Sequence, residues 1–180
     1  NSEDELCIEK VRIISMHAPV TNAVAILVSF LFFYLLHVYI NPVHLGIWAG
    51  LMTIFAFSRV WLWYQLKNEK SSVWLSKYTF LTAFLGFFWS AIFLFSNDPN
   101  NVLLNGSLLM LYFGITSAAL PALSIHLPAY FLYTLPSTLT IFFALNRFEE
   151  QIYSILSFAV LVFYSMMALF AYKSNKNTNS

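Results

Sequence analysis

Residues 44–78 read HLGIWAGLMTIFAFSRVWLWYQLKNEKSSVWLSKY, a run that joins an apolar span, an arginine inside it and the largest basic loop of the chain. The span begins at Leu45, carries Trp48 between Gly46 and Gly50 near one end, and closes on Arg59, Trp61, Trp63 and Tyr64. Lys67, Lys70 and Lys77 follow. Lys and Arg beside short loops are retained in the cytoplasm, and Trp and Tyr settle at headgroup level. This span is therefore expected to run from outside to inside, and the remaining segments thread from it.

Composition supports a membrane setting. Hydrophobic residues make up 59% of the 180, aromatics 19% and charged residues only 9%, where a soluble domain carries about 25% charged residues. The net charge of +1 hides an uneven distribution and gives no basis for a nucleic-acid partner. One cysteine, Cys7, excludes an internal disulfide and a multi-cysteine metal site. The chain opens on Asn1 with an acidic segment that has neither a basic start nor a small-residue cleavage site, so no signal peptide is expected and the sequence is taken as a piece of a longer protein.

Six apolar stretches are long enough to cross about 30 Å of hydrocarbon. They cover residues 18–40, 45–64, 78–95, 102–120, 128–145 and 152–172. Asn41-Pro42 ends the first and the Asn-rich run 96–101 ends the third, while Pro128 suits the first turn of the fifth. Residues 1–17, with Cys7, Val11 and Ile14 at helical spacing, are expected to form a cytoplasmic interfacial helix, and residues 173–180 a cytoplasmic tail. On this threading Lys10, Arg12, Arg59, Lys67, Lys70, Lys77, Lys173 and Lys176 lie inside, eight of the nine basic residues, and only Arg147 lies outside. The expected fold is all-α: a polytopic six-helix transmembrane bundle over 18–172 with both termini cytoplasmic. Fusing the fourth and fifth spans, whose loop has no Lys or Arg, would put the tail outside, against Lys173 and Lys176.

All five glycines fall inside the spans. Gly46 with Gly50, Gly86 with Ser90 and Gly114 with Ala118 form small-xxx-small pairs that let helices approach closely, within the bundle or across a homodimer. Pro136, at the middle of the fifth span, removes a backbone hydrogen bond and is expected to kink it, as a hinge or cavity wall. Arg59 lies about one turn inside the inner boundary, where its side chain is expected to snorkel; its alternative use is contact with an anionic ligand in the bundle. His37 with His44, and His17 with His126, sit at matched boundaries, but nothing completes a metal set beside them, and no metal or cofactor is expected. No span holds a carboxylate, and no HExxH, Ser/His/Asp set or glycine-rich phosphate loop occurs, so no catalytic residues are assigned. The polar minority inside the spans is left: Trp89, Ser90, Asn105, Ser107, Tyr112, Tyr130 and Tyr133. These are expected to face the bundle interior, where Trp89, Ser90, Asn105 and Ser107, with Tyr112 near the midplane and Pro136 bending the fifth span at that depth, would outline an outward-open pocket for a small amphipathic or apolar molecule.

The chain resembles the six-span N-terminal sensory membrane domains of bacterial sensor histidine kinases and diguanylate cyclases. The resemblance is carried by Trp48 ahead of Arg59, Trp74, Gly86-Phe87-Phe88-Trp89, Gly114, Pro128 and Pro136, with Ser90 where that family often has glycine. It implies a multi-pass protein of the bacterial inner membrane, a small-molecule or membrane-borne signal, and a cytoplasmic output domain attached beyond the sixth span of the same chain. A small transporter or transporter subunit is the alternative, though it would need a polar midplane path that these spans barely supply.

Overall fold

A computed structural model describes residues 2–65, 71–95 and 98–179. Among them every regular element is helical: α1 (Ser2–Leu36), α2 (Pro42–Tyr64), α3 (Ser71–Phe95), α4 (Val102–Leu123), α5 (Leu127–Leu145) and α6 (Gln151–Asn179). All six are long and apolar enough to cross a bilayer, so the chain is a multi-pass membrane protein. Lys67 and Lys70 lie outside the described residues.

Local chemistry sets most of the boundaries. Asn41 caps α2, its side chain accepting from the Val43 N–H at 2.9 Å with Pro42 in the first turn, and Asn101 caps α4 through the Leu104 N–H at 3.0 Å. Between α4 and α5 a turn at 124–126 separates two full helices, so the fourth and fifth spans are not fused. Three boundaries differ from the sequence expectation. The first is α1, which is continuous from Ser2 through Pro19, with Val11 and Ile14 packed into the bundle. The second is α3, which starts at Ser71 rather than Tyr78: Trp74 and Tyr78 are fully buried, and the Trp74 indole N–H donates to the Leu62 carbonyl at 2.8 Å. The third is α6, which runs on through the polar tail, where the Asn175 amide donates to the Ile125 carbonyl at 2.6 Å and Ser124 to Ser174 at 3.0 Å.

Two apolar clusters divide the bundle along its length. One surrounds Ile14, Leu62, Trp74, Tyr78, Leu123 and Ala171, at the end that carries both termini. The other, around Leu36, Trp48, Trp89, Tyr112, Leu145 and Tyr153, fills the middle and the far end. The far end is tied by a polar knot: the Asn105 amide donates to the Asp98 carbonyl (2.8 Å) and the Tyr153 hydroxyl (3.1 Å), and that hydroxyl donates to the Pro99 carbonyl (2.6 Å).

The largest helix–helix contact is α3 on α5, and one glycine makes it possible. A Cβ at Gly86 would stand 2.6 Å from the Tyr133 Cα and 2.8 Å from the Leu132 carbonyl oxygen, and would also strike the Tyr133 carbonyl. The reason is partly chemical. Pro136 has no N–H, so the carbonyl four residues back, that of Leu132, loses its helical donor. Backbone Cα–H groups of α3 can approach that oxygen only where no side chain intervenes. Of the three expected small-residue pairs, only Gly86 with Ser90 marks a tight contact. Gly46 has a single neighbour, a Phe33 ring carbon at 3.9 Å, and Gly50 and Gly114 have nothing within 4 Å. The Gly46–Gly50 pair misses the contact because α2 turns Trp48, Met52, Ala56 and Arg59 inward, which leaves Gly50 exposed.

These contacts separate two substitutions that the sequence alone treats alike. Gly86→Leu is expected to cost more than about 3 kcal/mol through overpacking and to abolish the folded fraction. Gly50→Leu is expected to leave the thermal midpoint in detergent within error of the original. Size-exclusion profiles and thermal unfolding of the purified variants check both.

Candidate functional site

A cavity of about 480 Å³ lies between α1 and α4, within the size range of small-ligand sites. Its side walls are apolar, from Val24, Val28 and Phe32 on α1 and Ile115, Ala118 and Ala122 on α4. Gly114, expected to pack against a helix, lines this space instead. Small residues at 114, 118 and 122 keep α4 from filling the gap. The rim faces outward from the bundle: Val20 is 66% exposed and Met110 77%. In a bilayer that rim meets lipid, so the cavity opens sideways.

Three polar side chains form its inner wall: Arg59 from α2, Trp89 from α3 and Tyr133 from α5. Arg59 does not snorkel to the boundary. It is only 4% exposed, because its position continues the inward stripe of Trp48, Met52 and Ala56. Its guanidinium carbon sits 4.6 Å from the centre of the Tyr78 ring, and its Nη2 donates to the Tyr78 hydroxyl. Tyr78 in turn stacks on Trp74 at 5.0 Å, so cation and rings form one pile. Arg59 Nε has no hydrogen-bond partner. The ion pair found among the described residues, Arg12 with Glu9, is elsewhere.

Trp89 is 1% exposed and packs edge-on against Trp48 at 5.4 Å. Trp48 spends its indole N–H on the Phe88 carbonyl at 2.7 Å, whereas that of Trp89 makes no hydrogen bond of normal geometry. The Tyr133 hydroxyl lies beside the Trp89 indole N–H and within electrostatic reach of Arg59. The wall thus presents a fixed cation with one N–H, that of Nε, unpartnered, an indole N–H and a phenol, with no described acid in an ion pair there.

The other candidates separate from this wall, and the outward-open pocket expected from the sequence does not form. Ser90 turns back on its own helix and donates to the Phe87 carbonyl at 2.5 Å. Asn105 belongs to the far-end knot, and Ser107 donates to the Leu103 carbonyl on the exposed side of α4. Tyr112 and Tyr130 are buried in a second polar cluster between α4, α5 and α6. There the Tyr112 hydroxyl bonds Thr138 at 3.1 Å, and the hydroxyls of Tyr130 and Tyr164 have no hydrogen-bond partner. Pro136 is inside α5, next to the Gly86 contact and off the cavity lining. Sequence reasoning missed the α1 wall, because Val20, Val24 and Val28 look like any lipid-facing stripe. It also missed Asn22, fully buried with both amide atoms unpartnered, although a lone Asn in an apolar span is a legible signal.

No group of three His, Cys, Asp or Glu residues converges among the described residues. His37 Nδ1 lies 2.5 Å from the Tyr34 carbonyl. His126, in the α4–α5 turn, is held below its ordinary value by burial and then by the nearby charge of Lys10. A depressed folded value favours the neutral ring, so its stabilisation is present above the ordinary value of 6.5 and is lost as pH falls through the lowered one. Thermal midpoints taken from neutral to acidic pH should therefore decline in this window, and His126→Gln should flatten the decline.

Comparison of the chain with known protein families, with curated proteins and with solved structures finds no match.

Proposed function

We propose that this chain is the membrane-embedded input domain of a bacterial signalling protein, seated in the inner membrane with both termini cytoplasmic. It takes up a small amphipathic or membrane-borne stimulus and passes the signal through α6 to a histidine kinase or diguanylate cyclase module of the same polypeptide. Orientation follows from charge: Lys10, Arg12, Lys77, Lys173 and Lys176 gather at the end with the termini, and Arg147 lies at the other.

The observation that carries this reading is the link between cavity and exit helix. Leu123 lines the cavity, and the next two residues, Ser124 and Ile125, bond Ser174 and Asn175 on α6. A second link runs through α5: Tyr133 is at once a wall of the cavity and the backbone that receives Gly86, and α5 packs extensively on α6. A ligand shifts a two-state equilibrium only through its difference in affinity for the two states, so it must touch something that moves. The α4–α5 turn and the proline-loosened turn of α5 are the two such elements here, with Pro136 the hinge.

In the full-length polypeptide, Asn175→Ala is expected to change basal output roughly two- to tenfold, the worth of one hydrogen bond. Trp89→Ala should blunt the response to stimulus at normal expression, and Pro136→Ala should fix output at one level. Autophosphorylation or cyclic-dinucleotide synthesis in membranes measures all three. Unchanged output in all three variants, or solute uptake by the protein in proteoliposomes, would overturn the proposal. For topology, in a background lacking Cys7, a cysteine at Asn100 should react from outside and one at Asn175 only from the cytoplasm.

A further inference from the structure

A buried guanidinium with no acid in an ion pair is costly in a hydrocarbon setting, and such charges are ordinarily paired or hydrogen-bonded on all sides. Arg59 is satisfied on one side only. Tyr78 takes one N–H and offers its ring face to the guanidinium, while Nε stays without a partner although the residue is only 4% exposed. On the same wall the Trp89 indole N–H, on a residue 1% exposed, makes no hydrogen bond of normal geometry and lies beside the Tyr133 hydroxyl. Arg59 and Trp89, each with an N–H that makes no hydrogen bond of normal geometry, therefore line one cavity together with the Tyr133 phenol. A cation held beside an indole N–H and a phenol suits an acceptor-only anion, and a carboxylate is such a group.

The rest of the cavity asks for the opposite chemistry. From Arg59 outward, the walls are Val28, Val24 and Val20 along α1 and Ile115, Gly114 and Met110 along α4, ending at the exposed rim. An occupant must present an anion at its inner end and hydrocarbon over the remainder, and it can reach the site from the lipid without crossing water. We infer that the cleft binds a single-chain carboxylate amphiphile, head group on Arg59, Trp89 and Tyr133 and alkyl chain between α1 and α4, entering sideways from the bilayer. This names the ligand class for the sensory site proposed above and rests on that reading only for its consequence, not for binding itself.

The test is made on the full chain in nanodiscs of zwitterionic lipid, at about pH 8 so that free carboxylates are ionised. The probe is dodecanoic acid carrying a diazirine on its tail, with crosslinked peptides located by mass spectrometry. Labelling is expected on α1 and α4 around Val24 and Gly114, competed by dodecanoate about tenfold better than by dodecanol, the worth of a charge-assisted bond. Arg59→Gln should lower labelling by about the same factor. Because that variant removes a buried stacking partner, Gly114→Phe serves as the second: it leaves Arg59 intact, fills the open space and should abolish labelling in a folded protein. Equal competition by dodecanol would overturn the assignment, as would better competition by phosphatidylglycerol or labelling undiminished in folded Gly114→Phe. Output activity is not read, so failure here leaves the signalling proposal standing with a different stimulus. Labelling as expected, together with unchanged output in Trp89→Ala, Pro136→Ala and Asn175→Ala, would overturn the signalling proposal alone.

Discussion

The close approach of α3 and α5 at Gly86 governs the geometry of everything around it. In hydrocarbon no water can satisfy a freed carbonyl, so the oxygen that Pro136 releases at Leu132 needs the backbone of a neighbour. A glycine on the facing helix is what allows that backbone to come near. Proline and glycine are thus two halves of one contact, and neither is explained alone. Its position fixes the rest: Trp89 follows Gly86 by three residues on α3, and Tyr133 is the residue met on α5, so both reach the same wall.

Arg59 adds the second constraint. Its charge sits inside the bundle because α2 shows the core a stripe that includes position 59, and the Trp74–Tyr78 pile gives the cation a π-face and one acceptor. Stacking compensates part of the lost hydration, and Nε of a residue that lines the cavity is left without a partner. The N-terminal part of α1 closes over this pile with Val11 and Ile14, and the first turns of α3 supply Trp74 to it. That covering explains why both helices begin before the apolar spans do.

The number and order of the helices were legible because each span is a long uncharged run closed by Asn, Pro or Lys. Their ends were less so, since a hydropathy pattern stops at the first charge while a helix continues wherever its buried face has partners. Ser71, Lys77 and Asn175 are polar and yet helical for that reason. The site was legible in part. Trp89 and Tyr133 were singled out as polar groups in apolar surroundings, and they do meet. Ser90 and Ser107 were not distinguishable from them by that criterion, because a serine in a span can satisfy its hydroxyl on its own helix. The sense of Arg59 turned on helix rotation, which the stripe Trp48, Met52, Ala56 already encodes at intervals of three and four. The cavity itself is an absence of side chains along 114, 118 and 122, and small residues read the same whether they admit a helix or leave a gap.

That gap also decides how the interior communicates with its surroundings. An aqueous mouth at the far end would have to pass Leu36, Trp48, Leu104 and Leu145, all buried, and the knot that Asn105 and Tyr153 tie to the 98–99 turn. At the other end the cluster of Leu62, Trp74 and Ile125 closes the bundle below Arg59. Between them the α1–α4 seam holds the cavity, and its edges, Val20, Val24 and Met110, are exposed on the outside of the bundle. A molecule that first partitions into lipid arrives at this seam already oriented, with its polar head near headgroup depth and its chain along the helices. On the proposed reading, charge at the inner wall and hydrocarbon along the sides would select among membrane-borne molecules by head group, ahead of water-soluble ones of the same charge.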